Sequence, residues 1–323
     1  MKNKFLVELR AIAIIVTIVL TIKVTLVEAY IVPTGSMENT IMTGDFLVGS
    51  RFVYGMRTPD WIGIPYTDIG FFIPYIKFPE FKIPKKNDIF IFKYPRDKYV
   101  KYVKRCLAGP GDTLLVTEKK VFLNNEQIKP EYKPKFITPV MPKSYRQPDI
   151  FLSSETNINK DNTGPIYIPK KGDIFPIHED TNWRFLLPII LMEGNSAKLI
   201  NGDVSYTFTL QDPHDISRRK GDNNIYDKYF PSGNLITPWS KHISSEHFKY
   251  LFINDIPINE FSDYKTKQNY YWAMGDNRDD SLDSRYWGYV PENFILGEAV
   301  FCYFSINLNN WKPRWDRIGV LLK

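Results

Sequence analysis

Residues 99–106 read Tyr-Val-Lys-Tyr-Val-Lys-Arg-Cys, and the alternation in this stretch decides the fold. Side chains along a strand point to opposite faces in turn, so Val100, Tyr102, Lys104 and Cys106 share one side. Lys104 is then the only ammonium on a largely apolar face. Burial there disfavours the cation and lowers its pKa from about 10.4. A lysine accepts a proton only when neutral, so such a residue is a candidate base. The plain alternative is a sheet-edge lysine paired with Asp or Glu.

Working outward, residues 45–54 (DFLVGSRFVY), 87–93 (NDIFIFK), 113–117, 120–123, 270–274 and 298–304 are also strand-like. Asn124-Asn125 can turn a hairpin into residues 126–128. No long segment after residue 30 keeps a clean 3.6-residue period. With 20 Tyr, 22 Phe and 7 Trp in 323 residues, the composition suits pleated surfaces. A mainly β fold is expected.

The formal net charge of +6 is spread along the chain. No block reads as a nucleic-acid arm, and the excess suits an anionic lipid surface equally well. Two cysteines, Cys106 and Cys302, rule out a disulfide framework and a Cys-rich zinc site; one bridge or two buried thiols remain open. His178, His214, His242 and His247 form no metal-ligand spacing, so no metal or cofactor is expected.

Residues 11–22, AIAIIVTIVLTI, carry no charge and follow Lys2, Lys4 and Arg10. A basic flank before an apolar run predicts a cytoplasmic amino terminus with the remainder outside. At 1.5 Å per residue the run covers about 18 Å of a hydrocarbon core of about 30 Å. Spanning requires Lys23 to snorkel and Val24, Leu26 and Val27 to extend it. A signal peptide cleaved near Val27-Glu28-Ala29 and a buried core helix are the alternatives. RFLLPIILM (184–192) is too short for a second span and contains Pro188.

Residues 126–267 are rich in Pro, Asn, Asp and Lys and read as an inserted subdomain or a set of long excursions. One repeat links them to the rest: IPKKNDIF at 83–90 resembles IPKKGDIF at 168–175, a basic turn feeding a strand in both. Residues 61–81 are dense in aromatics, Pro and Gly. They read either as a loop packed on the core or as a lip dipped into the lipid interface.

Three segments carry candidate chemistry. In 33–45, PTGSMENTIMTGD, Pro33 and Gly35 place Ser36 on a constrained loop, where a backbone N–H can face a developing oxyanion. In 102–112, YVKRCLAGPGD, the alternating strand delivers Lys104. The third, 274–291, MGDNRDDSLDSRYWGYVP, is dense in turn formers and carboxylate–arginine partners. A calcium loop is an alternative there, but Arg278 and Arg285 put cations where the ion would sit, which favours a paired polar scaffold.

Taken in this order, the segments resemble type I signal peptidase. That family carries an amino-terminal anchor, a Pro-Ser-Gly-Ser-Met box, a Lys-Arg box followed by Gly-x-Pro-Gly-Asp, and a Gly-Asp-Asn-Arg-Asp-Asn-Ser-x-Asp-Ser-Arg box. The resemblance covers residues from about 30 to 55, 83 to 128 and 268 to 305. It implies a mainly β, signal-peptidase-like fold with an N-terminal transmembrane helix and a large insertion. The expected divisions are 1–29 (cytoplasmic tip and anchor), 30–125 with 268–310 (catalytic β core), 126–267 (insert) and 311–323 (tail).

By resemblance, Ser36 attacks the scissile carbonyl and Lys104 takes its proton. Ser281 orients the lysine, and the Ser36 N–H and Thr34 hydroxyl form the oxyanion hole. Asp276 pairs with Arg105 and Asp283 with Arg285. Met37 and Tyr102 line pockets for small side chains, as in Ala-x-Ala. The resemblance implies secretory preproteins, the lipid bilayer and the export translocon as partners, with no nucleic acid. It also implies a bacterial cytoplasmic membrane protein, single-pass, with the catalytic domain on the outer face. Thr34 replaces the commoner serine and Asp280 an asparagine; Cys106 and Ala108 also depart from the usual residues. Two rivals are another Ser-Lys peptidase, such as a self-cleaving repressor, and a membrane-tethered binding domain. The anchor and the lack of a DNA-binding helix pair count against the first.

Overall fold

A computed structural model of the protein describes residues 2–63, 69–152, 158–221, 234–240 and 245–322. Along the chain, helix α1 (Lys2–Thr25) runs into strand β1 (Val27–Ile31), followed by β2 (Asp45–Ser50) and a small hairpin of β3 (Trp61–Gly63) and β4 (Gly70–Phe72). Next come β5 (Ile89–Tyr94), β6 (Asp97–Ala108), β7 (Thr113–Thr117), β8 (Lys120–Leu123) and β9 (Glu126–Gln127). The following region contributes β10 (Thr163–Tyr167), β11 (Ile174–Pro176), helix α2 (Trp183–Met192), β12 (Ala197–Asn201), β13 (Val204–Phe208) and helix α3 (Pro213–Lys220). It continues with β14 (Leu235–Ile236), β15 (Leu251–Ile253), β16 (Ile256–Pro257) and β17 (Asp263–Lys265). The chain closes with β18 (Tyr270–Met274), β19 (Val290–Pro291), β20 (Ile295–Asn307) and β21 (Lys312–Pro313).

The main sheet has the order β1-β2-β20-β5-β6-β18-β19, with β21 on β20. The fold is therefore mainly β, as the alternation predicts. The strand expected at 45–54 ends at Ser50: the Arg51 N–H still reaches the Leu26 carbonyl at 2.9 Å, and the chain then turns, with the Gly55 N–H on the Phe52 carbonyl at 3.3 Å. The Asn124-Asn125 hairpin is present: both residues have positive φ, 52° and 70°, and Leu123 pairs with Glu126.

One turn recurs at the head of four strands. In 42–45, 85–88, 109–112 and 170–173 the aspartate returns its carboxylate to the N–H three residues earlier, at 2.8 to 2.9 Å. The residue before each aspartate has positive φ, which glycine adopts freely and asparagine tolerates: Gly44, Asn87, Gly111 and Gly172. The two copies of the repeated octapeptide are two instances of this turn.

Helix α2 is the element that periodicity hides. Leu186 through Met192 are all buried, so no polar face marks the 3.6-residue period. The Asn182 side chain accepts from the Phe185 N–H at 3.1 Å and starts the helix. Residues 126–267 are not held apart from the core. β10 pairs with β7, and Leu186, Ile189, Leu199 and Ile253 share one buried cluster with Leu107, Leu114 and Trp272.

Among the described residues no helix is long and apolar enough to cross a membrane, so the spanning helix expected at 11–22 is not established by α1. Of the aromatic stretch 61–81, residues 64–68 lie outside the described residues; Phe71, Phe78 and Phe81 are exposed. Cys106 and Cys302 are both free and buried.

Candidate active site

Two elements bring the chemistry together. Ser36 lies on the loop after β1, and Lys104 lies on β6. Lys104 Nζ and Ser36 Oγ are 2.5 Å apart. Lys104 is 4% exposed, and this burial pushes its ammonium down to about 8, against the pull of Asp283 and Asp276. Asp280 is exposed, and its influence on Lys104 is smaller than that of either of those carboxylates.

The loop of the third segment braces both groups. Asn277 donates its backbone N–H to the Ser36 carbonyl at 3.1 Å and its side-chain amide to the Gly35 carbonyl at 3.1 Å. Arg105, beside Lys104, binds Asp276 through Nε and Nη2 at 2.8 and 2.7 Å. Arg285 grips Asp283 in the same two-pronged way, at 2.8 Å for each prong, and helps hold that carboxyl below its usual range despite burial. Asp283 in turn accepts from the Gly275 N–H at 3.1 Å. Both ion pairs expected from the sequence are thus formed and buried.

Ser281 is buried, and its hydroxyl faces the Asp283 carboxyl and helps to lower its pKa; the structure does not bond it to Lys104. It lies against the Ser36 loop: a Cβ added at Gly275 would meet Ser281 Oγ at 2.2 Å and the Ser36 carbonyl at 2.4 Å. Thr34 is exposed beside the half-buried Ser36. Met37 and Tyr102 are not brought together. Met37 is buried with Val32 and Leu47, with Tyr30 and Val103 packed on them, and its sulfur accepts the Asp276 N–H at 3.4 Å. Tyr102 joins the opposite cluster, its ring centroid 4.6 Å from that of Tyr94 and 5.5 Å from that of Trp287. Lys104 Nζ is 5.2 Å from the centre of the Tyr102 ring.

In the calcium-loop alternative an ion would sit among these carboxylates. Instead, Lys119 and Lys160 both reach Asp279, at 2.9 and 2.7 Å. Among the described residues no group of three or more His, Cys, Asp or Glu side chains could hold a metal ion.

The family model "Signal peptidase, peptidase S26" matches residues 6–182 and 237–304. The chain belongs to this family. Signal peptidase I of Buchnera aphidicola (Schizaphis graminum subspecies) is 28% identical over 312 residues, covering 94% of this chain and 77% of that protein. The signal peptidase I of Rickettsia canadensis is 25% identical over 321 residues, covering 98% and 86%. A crystal structure of an Enterococcus faecalis signal peptidase I matches 67% of this chain and 97% of its own, at 15% identity and a TM-score of 0.24. As a member of this family the chain is a serine endopeptidase, a hydrolase that removes signal peptides.

Several supporting residues were not assigned from sequence. Thr40 donates its hydroxyl to Asp276 at 2.5 Å, and Asn277 carries the main-chain link to Ser36. Both sit inside the quoted segments, so their position was the available signal. Tyr132 and Lys135 had none, because they lie in the insert. The Arg105 guanidinium is 3.9 Å from the Tyr132 ring centroid, and Arg278 donates to the Tyr132 hydroxyl at 2.6 Å. Lys135 donates its N–H to the Asp276 carbonyl at 2.7 Å.

Proposed function

We propose that the peptidase works by a Ser36–Lys104 dyad. The observation that supports this reading is the 2.5 Å separation of Lys104 Nζ and Ser36 Oγ at a lysine shielded from water. Neutral Lys104 takes the Ser36 Oγ proton as Oγ bonds to the scissile carbonyl carbon. The carbonyl oxygen becomes an oxyanion, facing the Ser36 N–H and the Thr34 hydroxyl. The Lys104 ammonium then gives its proton to the leaving nitrogen, the C–N bond breaks, and an ester on Ser36 remains. Water, deprotonated by Lys104, hydrolyses that ester and returns Ser36 its proton. Ser281 orients the lysine in this scheme, and Arg105–Asp276 and Asp283–Arg285 fix the surrounding loops.

The substrate is an extended preprotein segment cut after small residues, as in Ala-x-Ala. The backbone pairing supports this mode. β1 pairs with β2 alone, and β6 pairs with β18 only from Arg105 onward. Among the described residues both strands therefore keep a free edge just upstream of the dyad, where a substrate can add main-chain hydrogen bonds.

The apolar run in α1, behind its basic flank, tethers the enzyme to the bacterial cytoplasmic membrane. The amino terminus is cytoplasmic and the catalytic domain lies on the outer face, within reach of the translocon. Residues 30–125 with 268–310 carry the chemistry, and 126–267 form the insert that braces it. Purified protein should cut a secretory precursor, and Ser36→Ala and Lys104→Ala should each abolish cutting with the fold retained. Activity in either variant would remove that residue from the mechanism.

A further inference from the structure

We propose that the Glu28–Lys101 ion pair walls the substrate cleft upstream of the cut and limits the side chain admitted two residues before the cleaved position. This rests on the dyad and on the extended substrate proposed above. Glu28 and Tyr30 share the inward face of β1, where they are half-buried while Val27, Ala29 and Ile31 are exposed. Lys101 and Val103 share one face of β6 by the two-residue period. Lys101 Nζ reaches across to Glu28 Oε1 at 2.6 Å, although β1 and β6 are not neighbours in the sheet. The contact therefore crosses the gap between the two strands that lead to Ser36 and Lys104.

The two halves of the pair differ in freedom. Glu28 also accepts from Arg51 at 3.1 Å and from the Tyr30 hydroxyl at 2.5 Å, so its carboxylate is fixed from three sides. Lys101, with a side chain 39% exposed, is held across the gap by Glu28, its ammonium 5.4 Å from the centre of the Tyr30 ring. A substrate strand between the free edges sends alternate side chains inward, toward Tyr30, Val32, Met37 and Val103. Residues two apart are about 7 Å from one another along a strand. Lys101, three residues before Lys104, lies about 10 Å back along β6. A side chain two positions before the cleaved residue thus points toward the ion pair. A methyl group fits in front of it, and a longer side chain meets the lysine stem.

The test uses one signal-peptide precursor with Ala, Val, Leu or Phe at the third position before the cut, and full-length enzyme in detergent micelles. Wild type should prefer Ala. Lys101→Ala, which removes the wall, and Glu28→Gln, which frees it, should each raise kcat/KM for the Leu precursor relative to Ala by about tenfold. An unchanged ranking in Lys101→Ala overturns the proposal. So does relaxation in Lys101→Ala without relaxation in Glu28→Gln, because the lysine stem alone would then be the wall. A wild type that cuts none of the four precursors overturns the peptidase mechanism itself, a result distinct from an active enzyme with an unmoved ranking.

Discussion

Arg105 and Asp276 are joined by two hydrogen bonds of 2.8 and 2.7 Å, and each side chain is 1% exposed. The pair ties the strand that carries Lys104 to the loop that bonds the Ser36 carbonyl. Removing one member leaves the other as a buried, unpaired charge, which costs about 3–5 kcal/mol. Asp276→Ala should therefore lower unfolding stability by about that amount in urea titration. A loss below about 1 kcal/mol would mean that water or Thr40 satisfies Arg105 without the aspartate.

Much of this arrangement was legible in sequence because the rules involved are local. Two-residue alternation located β6 and put Lys104 on a buried face. The density of carboxylates and arginines in 274–291 announced a paired polar scaffold, the resemblance supplied the Arg105–Asp276 pair, and the repeated octapeptide announced a basic turn feeding a strand. Non-local features stayed hidden. Helix α2 is buried on all sides and so shows no amphipathic stripe. Tyr132 lies far from Arg105 in sequence and is joined to it only by the folded insert. Met37 and Tyr102 look equivalent as apolar neighbours of the dyad residues, yet the sheet separates them into different clusters, as the opposite parity of Tyr102 and Val103 on β6 requires.

The proposed dyad predicts the pH dependence of turnover. Lys104, held down to about 8 by burial, is mostly protonated at pH 6 and mostly neutral at pH 9. The proposed general base is the neutral amine, so kcat/KM should rise about tenfold per pH unit below 8 and level off above it. Initial rates on one precursor across this range, at fixed ionic strength, check the sign. A rate falling with pH through 8 would assign Lys104 the role of acid instead.

The same burial makes Lys104 costly to the fold. Its folded pKa of about 8 lies below the ordinary lysine value of 10.5, so between these values the unfolded chain binds more protons than the folded one. Stability should rise with pH through that window, and the full penalty applies below it. At about 1.4 kcal/mol for each pH unit, the penalty near neutrality is about 3 kcal/mol. Lys104→Met, which keeps the volume and drops the charge, should be inactive yet more stable than wild type at pH 7, by up to that amount. The gain should vanish near pH 10.5. Equal or lower stability of the variant at pH 7 would mean that Asp283 and Asp276 already offset the burial.

Thr34 supplies the one side-chain donor proposed for the oxyanion. It is exposed, so its replacement should leave unfolding unchanged. One such donor is worth about 3 kcal/mol in the transition state. Thr34→Val, similar in shape but without the hydroxyl, should lose about 100-fold in kcat with little change in KM, while Thr34→Ser should stay within about threefold of wild type. Equal activity in the valine variant would leave the oxyanion to main-chain donors alone.

Gly275 separates two groups that must not move. It is buried, and an added methyl would stand 2.4 Å from the Ser36 carbonyl and 2.2 Å from Ser281 Oγ. Ser281 presents its Cβ as well, at 2.6 Å, and the Ser36 carbonyl is main chain, already bonded to the Asn277 N–H at 3.1 Å. Gly275→Ala must therefore push the nucleophile loop away from β6, which β5 and β18 hold in place. A displacement of about 1 Å between reacting groups costs about 100-fold in rate. The variant should fold with a wild-type circular dichroism spectrum, bind precursor with similar KM and cut it about 100-fold more slowly. The double variant Gly275→Ala/Ser281→Gly, measured against Ser281→Gly alone, separates the two contacts, because both lack the Ser281 side chain and only the first meets the Ser36 carbonyl. If the double variant were no slower than Ser281→Gly, the contact with the Ser36 carbonyl would not govern where Ser36 stands.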